Sequence, residues 1–304
     1  HSLLLTPHSS LLTPHAMPTR RHLLRLAAGA GLAAALPEPG ATAQPAVPAT
    51  PPTGLRQSVC RWPFGDIPDR DFFPMVRTLG FGAVDLLSER EWPLAEAEGM
   101  ICSMGMPTER RDFIRRGLND PANHPLLLDE LRRAITAARA HQVPNIIAMI
   151  GNRDGRSDEA GLAACAEALD QVKGLAEQEK VTICLELLNS RVDHHDFQGD
   201  RMDFGLKLMY AVNSPRVRLL YDIYHMQIME GDVIRTIRDH GQWIAHYHTA
   251  GNPGRNELDP TQELNYPGIA RAIADTGFTG WIAHEFIPTR DPKAGLAEAK
   301  RICG

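Results

Sequence analysis

Four ionisable residues stand at the ends of short apolar segments in the second half of the chain: Glu186, Asp222, His248 and Glu285. Burying three carboxylates beside one histidine costs a large free energy unless a cation compensates their charge. Three oxygen ligands and one nitrogen ligand suit a divalent metal ion, and the excess of carboxylates favours Mn²⁺ or Mg²⁺ over Co²⁺ or Zn²⁺. For each residue alone, a strand-end cap or a surface salt bridge is the alternative interpretation. Together the four predict a metal centre.

Further polar residues follow the same segments. Asn189 comes three residues after Glu186, His225 comes three residues after Asp222, and Arg255 lies in the Gly- and Pro-containing loop after His248. A guanidinium on such a loop is suited to hold a carboxylate or ketose oxygen of a substrate. The alternative for Arg255 is an ion pair with Glu257 or Asp259 that only stiffens the loop.

Other side chains are expected at the edges of this site. His246 shares the inward face with His248 but lies one layer deeper, where a hydrogen-bonded core histidine is the expected state. The early loops contain Trp62 and Trp92, each followed by proline, and both are expected to wall the pocket.

Eight apolar segments, each followed by a helical pattern, would position these residues. They are 57–61, 83–87, 100–104, 145–150, 182–187, 218–222, 243–249 and 280–286. The two clearest amphipathic helices are 126–141 and 161–177. Eight such units favour a single-domain α/β fold, a (β/α)8 TIM barrel, in which the carboxyl ends of the strands form one functional rim. A doubly wound sheet is the alternative, but no GxGxxG or GxxxxGKS motif follows any of the segments.

Composition excludes several classes of protein. The 304 residues carry a net charge of −5, and no dense basic segment follows residue 25, which argues against a nucleic-acid partner. The five cysteines are widely spaced and form no CxxC pair, so neither a disulfide framework nor a structural zinc site is expected. A small carbohydrate or hydroxy-keto acid is the expected partner, while homo-oligomer formation stays open.

The N-terminal part of the chain is expected to contain an export signal. Residues 1–16 repeat the pentapeptide LLTPH and are interpreted as non-native upstream sequence. Residues 17–43 combine paired arginines, a short apolar segment and an A-x-A site, which resembles a twin-arginine signal peptide. Because the apolar run Leu26–Leu36 has 11 residues, it is shorter than the ~20 that a membrane span needs. A Pro-rich linker at 44–55 and a barrel at 56–304 follow, and periplasmic export without a remaining membrane span is expected.

The second half of the chain also carries segments that resemble a known family. They are LELLN at 185–189, SPRVRLLYDIYHMQIMEGD at 214–232, HYHTAGNPGRNELD at 246–259, ELNYPGIARAI at 263–273 and HEFIPTRDP at 284–292. These resemble the xylose isomerase-like TIM-barrel superfamily and, within it, the hydroxypyruvate isomerase-like proteins.

The resemblance implies roles for the same residues. Glu186, Asp222, His248 and Glu285 fall on metal-ligand positions, and Glu186 and Glu285 also fall on the catalytic acid/base pair. His225 and Arg255 fall on substrate-contacting positions. Asn189, to which the resemblance assigns no role, is also expected to contact substrate because of its place at the end of the same segment as Glu186. This chain departs from the family pattern at the position of the third metal ligand. In hydroxypyruvate isomerase itself that position resembles glutamine, whereas this chain has His248, which resembles the ketose 3-epimerase branch.

The expected activity is that of a metal-dependent isomerase or epimerase acting on an α-hydroxycarbonyl substrate, hydroxypyruvate-like or a ketose, through an enediolate. The alternative is an exported lyase or epimerase of 3-keto-sugars or keto-glycosides that uses the same metal site. A nuclease-like hydrolase would need histidine ligands on the second and third strands, which the sequence lacks. A non-catalytic sugar-binding barrel has no need for two facing carboxylates.

Overall fold

Eight parallel strands close into a barrel in the computed structural model, which describes residues 53–304. The strands are β1 (Arg56–Cys60), β2 (Ala83–Leu87), β3 (Ile101–Gly105), β4 (Asn145–Ala148), β5 (Thr182–Leu187), β6 (Val217–Asp222), β7 (Ile244–Thr249) and β8 (Trp281–His284). The barrel closes where β1 pairs with β8, with Arg56 opposite Trp281 and Val59 opposite His284. The predicted (β/α)8 architecture is therefore confirmed, with strand ends displaced by at most two residues from the predicted ones.

Helices cover the outside of the barrel between successive strands. They are α1 (Asp69–Thr78), α2 (Trp92–Ala97), α3 (His124–Ala140), α4 (Asp158–Asp170), α5 (Lys173–Glu179), α6 (Met202–Val212), α7 (Ile223–Met229), α8 (Val233–His240), α9 (Tyr266–Asp275) and α10 (Pro292–Cys303). None of the helices in residues 53–304 is long and apolar enough to cross a membrane. The interpretations of residues 1–16, of the signal peptide at 17–43 and of nearly all of the linker at 44–55 lie outside the described residues.

The helix predicted at 161–177 is wrong, because the chain forms two helices there. At the end of α4 the amides of Gln171 and Val172 donate to the carbonyls three residues earlier, 3.1 Å away in each case. Val172 then leaves helical geometry with a φ of −125°, while its side chain is fully buried. The apolar periodicity continues through the break because Val172 still packs in the core.

Successive side chains of each strand alternate between the inside of the barrel and the layer between the barrel and the helices. Leu187 of β5 and Leu219 of β6 face outward and lie against Gly205 of α6, where an added Cβ would come within 3.3 Å of both side chains. Glu186, one residue away, therefore faces the inside of the barrel. The polar residues at the carboxyl ends of the strands meet at one rim because all strands run in parallel.

Candidate active site

The four predicted metal ligands lie together at the carboxyl-end rim. Glu186 lies in β5, Asp222 ends β6, His248 lies in β7 and Glu285 directly follows β8. Each residue is at most 4% exposed. One ligand atom from each lies within 4.8 Å of one atom from each of the others. The structure thus brings together all four residues that the sequence singled out.

The Nδ1 atom of His248 is the point where the carboxylates converge. It lies 3.2 Å from Glu186 Oε1 and 3.1 Å from Glu285 Oε2, yet it makes no hydrogen bond of good geometry. A nitrogen lone pair facing two buried carboxylate oxygens is unfavourable unless a proton or a metal cation lies among them. The donor set, three carboxylates and one imidazole, therefore fits a divalent metal ion.

Burial and neighbouring charges shift the pKa values of these groups in different directions. Burial raises the pKa of Asp222 to about 8, an effect that Arg255 only partly opposes. Burial also acts to raise the pKa of Glu285, but Arg255 and His248 outweigh it and hold that pKa well below its usual range. The pKa of His248 lies well above its usual range, because Glu285 and a hydrogen bond to Asp85 outweigh the effect of burial.

Arg255 turns into the site rather than along its own loop. Its guanidinium donates to Glu285 Oε2 at 2.6 Å and lies 3.6 Å from Asp222 Oδ2. The rings of Trp62 and Tyr224 lie 5.2 and 5.4 Å from it, at cation–π distance. The alternative pairing of Arg255 with Glu257 or Asp259 is wrong.

Asn189 supports the site through His225. Its Oδ1 accepts hydrogen bonds from the amides of Val192 and Asp193, both at 2.9 Å. This orients the amide so that Nδ2 donates to His225 Nδ1 at 2.6 Å. The proton of the neutral His225 ring is therefore on Nε2, which is buried without a hydrogen-bond partner and lies 3.6 Å from Asp222 Oδ2.

The charge of His225 follows from its surroundings. Burial first, and then the charge of Arg255, lower the pKa of His225 well below its usual range. The imidazole is therefore neutral at physiological pH and presents an Nε2–H donor toward the metal-ligand cluster. Asn189 Nδ2 also donates to Asp193 Oδ2 at 2.6 Å, so the hydrogen-bonding groups of this side chain are all engaged. Its contact with a substrate stays a prediction.

Two residues near the ligand cluster were missed or only partly predicted. Trp62, expected to wall the pocket, donates its indole N–H to Glu285 Oε1 at 2.6 Å. Asp85 of β2 received no role from the sequence, but its Oδ2 lies 3.0 Å from His248 Nε2. His246 lies one layer below His248, as expected, with Nε2 3.2 Å from Asp85 Oδ1. The expected hydrogen bonding is wrong, because neither ring nitrogen makes a hydrogen bond of good geometry.

The expected role of Trp92 is wrong. Its side chain is 1% exposed, its N–H donates to the carbonyl of Leu87 at 3.0 Å, and its ring packs against His141. It belongs to the core beneath α2. A Trp-Pro pair after a strand is a weak signal for a pocket wall because it also begins helices.

Known proteins resemble this chain in sequence and in fold. The family model of the xylose isomerase-like TIM barrel matches residues 76–302. Hydroxypyruvate isomerase of Escherichia coli (strain K12) is 31% identical over 245 residues, which cover 77% of this chain and 93% of that protein. The human putative hydroxypyruvate isomerase is 29% identical over 235 residues, covering 72% of this chain and 83% of that protein.

A solved structure shares the fold. AP endonuclease, family 2, from Brucella melitensis superposes with a TM-score of 0.73 at 23% identity, covering 80% of this chain and 98% of that one. At this identity the likeness concerns the fold alone.

Proposed function

Because this chain belongs to the xylose isomerase-like TIM-barrel family, in its hydroxypyruvate isomerase-like branch, and is an isomerase or epimerase, we propose a metal-dependent proton transfer as its reaction. The proposed substrate is a small α-hydroxycarbonyl compound, hydroxypyruvate-like or a ketose. The proposed metal is Mn²⁺ or Mg²⁺, held by Glu186, Asp222, His248 and Glu285.

The convergence of Glu186 and Glu285 on one buried nitrogen carries this proposal. The carboxylates come from β5 and from the end of β8, with β6 and β7 between them, and both reach within 3.2 Å of His248 Nδ1. Two carboxylates held on either side of one position can remove a proton from one face of a carbon and return one from another direction. When bound, the cation would polarise the carbonyl and the neighbouring hydroxyl oxygen and acidify the C–H between them.

In the proposed reaction one glutamate accepts the proton of that C–H, the C–H bonding pair forms a carbon–carbon double bond, and the carbonyl π pair moves onto the carbonyl oxygen to give an enediolate. The other glutamate, which carries a proton beforehand, then delivers it to carbon as a carbonyl forms again. Delivery to the opposite face of the same carbon restores the original carbonyl and gives an epimer. Delivery to the neighbouring carbon places the carbonyl on the former hydroxyl carbon, whose O–H proton passes to the other oxygen, and gives the aldose/ketose isomer. We propose no assignment of base and acid between the two, because that assignment depends on the configuration of the substrate.

His225 and Arg255 are proposed to bind the substrate. The neutral His225 presents an Nε2–H donor that can stabilise negative charge as it develops on a substrate oxygen. Arg255 is charged and lies at cation–π distance from the rings of Trp62 and Tyr224, so it can hold a distal carboxylate or hydroxyl in a fixed orientation. The sequence resemblance implied substrate-contacting positions for both residues.

The test is solvent-proton exchange followed by NMR in D₂O. The Mg²⁺-loaded full chain is incubated with hydroxypyruvate, with ketoses and with 3-keto-glucosides. Deuterium incorporated at the carbon beside the carbonyl supports enediolate chemistry, and the product then distinguishes isomerisation, epimerisation and loss of a leaving group. No exchange with any of these compounds, in a protein that binds the metal, contradicts the proposed reaction.

Single substitutions test the glutamate pair. Glu186→Gln and Glu285→Gln are each expected to lower kcat by about 10³-fold or more, because general acid–base groups contribute ~10²–10⁴-fold. Glu130→Gln is the matched control, since Glu130 is equally buried but pairs with Arg110 in the outer layer. Its kcat is expected to stay near the wild-type value. Retention of activity in both site variants would contradict the pair.

We also propose that the chain is exported through the twin-arginine route to the periplasm. The paired Arg20 and Arg21, the short apolar run and the A-x-A site support this. Replacing both arginines with lysine is expected to leave the protein in the cytoplasm of a Gram-negative host. Periplasmic recovery of that double variant would contradict the proposed route.

A further inference from the structure

Asp85 is a buried carboxylate on the side of His248 that faces away from the ligand cluster. It lies in β2, is fully buried, and its partner in β1 is Cys60. Its Oδ2 lies 3.0 Å from His248 Nε2. Its Oδ1 accepts a hydrogen bond from Ser103 and lies 3.2 Å from His246 Nε2.

A fully buried carboxylate such as that of Asp85 needs hydrogen-bond donors around it. Ser103 and the Nε2 atoms of His246 and His248 surround its two oxygens, with His248 Nε2 3.0 Å from Oδ2 and His246 Nε2 3.2 Å from Oδ1. A carboxylate in this position serves as the acceptor for Ser103 and His248. Of the four residues in the ligand cluster, His248 is the one it contacts.

An acceptor at Nε2 fixes the protonation of the ring. The proton of a neutral His248 is held on Nε2 by Asp85, which leaves the lone pair on Nδ1. Nδ1 is the atom that lies 3.2 Å from Glu186 and 3.1 Å from Glu285. A histidine that donates one ring N–H to a carboxylate and uses the other nitrogen as a ligand is a recurring arrangement in metal sites.

We propose that Asp85 is a positioning residue for the metal centre, which fixes the tautomer and orientation of His248 so that Nδ1 is the ligand atom. The inference rests on the proposed function, because it concerns the same metal. Asp85 touches neither substrate nor metal and acts through His248.

A competing interpretation assigns the same atoms to a second metal. Cys60, Asp85 and His248 also offer ligand atoms that all lie within 4.8 Å of one another. However, the 3.0 Å contact between Asp85 and His248 already is a hydrogen bond, and a metal there would require His248 to bridge two ions. The Cys60 thiol lies 3.6 Å from Asp85 Oδ2 as a weak donor.

The experiment measures Co²⁺ binding to the metal-free full chain by calorimetry and by visible absorption. Wild type is expected to bind one Co²⁺. Asp85→Asn is expected to bind it about 10–100-fold more weakly, the usual effect of losing such a partner, and to shift the visible bands because the ligand field changes. Ser103→Ala is the matched control, since it removes a hydrogen bond from the other oxygen of Asp85 without touching His248. Its Co²⁺ affinity is expected to stay close to that of wild type.

The outcomes separate this inference from the proposed function. If wild type and Asp85→Asn bind Co²⁺ equally and show the same spectrum, Asp85 has no positioning role although the metal site stands. Equal losses in Asp85→Asn and Ser103→Ala would assign the effect to general damage of the core and overturn the inference. Two bound Co²⁺, one of them lost in Cys60→Ser, would favour the second metal instead. If wild type binds no Co²⁺, or if Glu186→Gln changes neither the Co²⁺ affinity nor the visible spectrum, the proposed function fails as well.

A second measurement does not depend on the folding of Asp85→Asn. In the Zn²⁺-loaded wild type, ¹H–¹⁵N correlations of the histidine rings report which nitrogen carries the proton. The resonances of His248 are assigned with His248→Gln. We expect a proton on Nε2 and a metal-shifted Nδ1, and the reverse pattern would overturn the inference.

Discussion

The Glu285 carboxylate has donors on both of its oxygens. Trp62 donates to Oε1 at 2.6 Å, and Arg255 donates to Oε2 at 2.6 Å. Asp222 has weaker compensation, and its pKa is raised to about 8 by burial. The site therefore combines one carboxylate that is held ionised with one that needs a cation to become ionised at neutral pH.

Trp62 provides a test of how far catalysis depends on this support. Trp62→Phe keeps an aromatic ring beside Arg255 but removes the indole N–H. A hydrogen bond to a charged group contributes about 1.5–3 kcal/mol, and because Trp62 is 46% exposed we expect an effect near the lower end. The predicted kcat is about tenfold lower than that of wild type, measured by steady-state kinetics.

Trp92→Phe is the control for this prediction. It also removes an indole N–H, the one that donates to Leu87, but in the core beneath α2. It is expected to lower Tm while kcat stays close to the wild-type value. An unchanged kcat in Trp62→Phe would show that the indole does not position Glu285.

The residues of the candidate site differ in how far their roles could be predicted from the sequence. The four candidate metal ligands could be singled out because each is an ionisable residue at the carboxyl end of a mostly apolar segment. Asp85 also lies in an apolar strand, but its role depends on which side chains meet across the barrel interior, and β2 and β7 are not neighbours in the sheet. The contact between Trp62 and Glu285 joins residues 223 positions apart, so local patterns could not reveal it.

Elements were predictable where packing and local geometry agree. All eight strands were found because burial on both faces makes each an apolar segment with sharp ends. The break between α4 and α5 was missed because Val172 continues the apolar face although its backbone has left the helix. The periodicity of apolar residues indicates which side chains are buried, but it does not reveal a change in the φ angle of one residue.

The short helix α5 offers a test of its local stability. Gly174 lies in this helix, its φ is not in the left-handed region, and an added Cβ would meet no atom within 4 Å. Gly174→Ala should therefore stabilise the protein by about 0.5–1 kcal/mol, because alanine loses less backbone entropy in a helix. The expected rise in Tm is about 1–4 °C, measured by thermal unfolding.

Gly105→Ala is the contrasting variant. A Cβ at Gly105 would lie 2.7 Å from Ile146 Cδ1 and 2.9 Å from Trp92 Cζ2. Overpacking of this kind costs about 1–3 kcal/mol, so Tm should fall. A lower Tm in Gly174→Ala would mean that α5 does not have the backbone conformation described for it.

At the scale of the whole molecule, barrel closure determines which distant residues meet. Cys60 of β1 comes within 3.9 Å of His248 Nε2 although 188 positions separate them. The pairing of β1 with β8 closes the ring that encloses both. The candidate metal-ligand cluster and Asp85 beside it therefore form only when the complete barrel is folded.

The five cysteines can report whether the barrel opens as one unit. All of them are buried and none forms a disulfide. Burial raises the pKa of each thiol, to about 12 for Cys303. Because the thiolate is the reactive form, we expect no rapid labelling of the native chain by a thiol reagent at pH 8, and five rapid labels per chain in guanidinium chloride.

The rate of slow native labelling then measures opening. At a reagent concentration high enough for labelling to outpace refolding, a barrel that unfolds cooperatively should label all five thiols at one rate, equal to the global unfolding rate measured by circular dichroism. Cys303 tests whether the last helix, α10, opens before the rest of the barrel. Its carbonyl accepts a hydrogen bond from the hydroxyl of Thr53 at 2.8 Å, which ties the end of α10 to the start of the described chain. A single fast label that disappears in Cys303→Ser would show that α10 opens independently, and the barrel would then not be one cooperative unit.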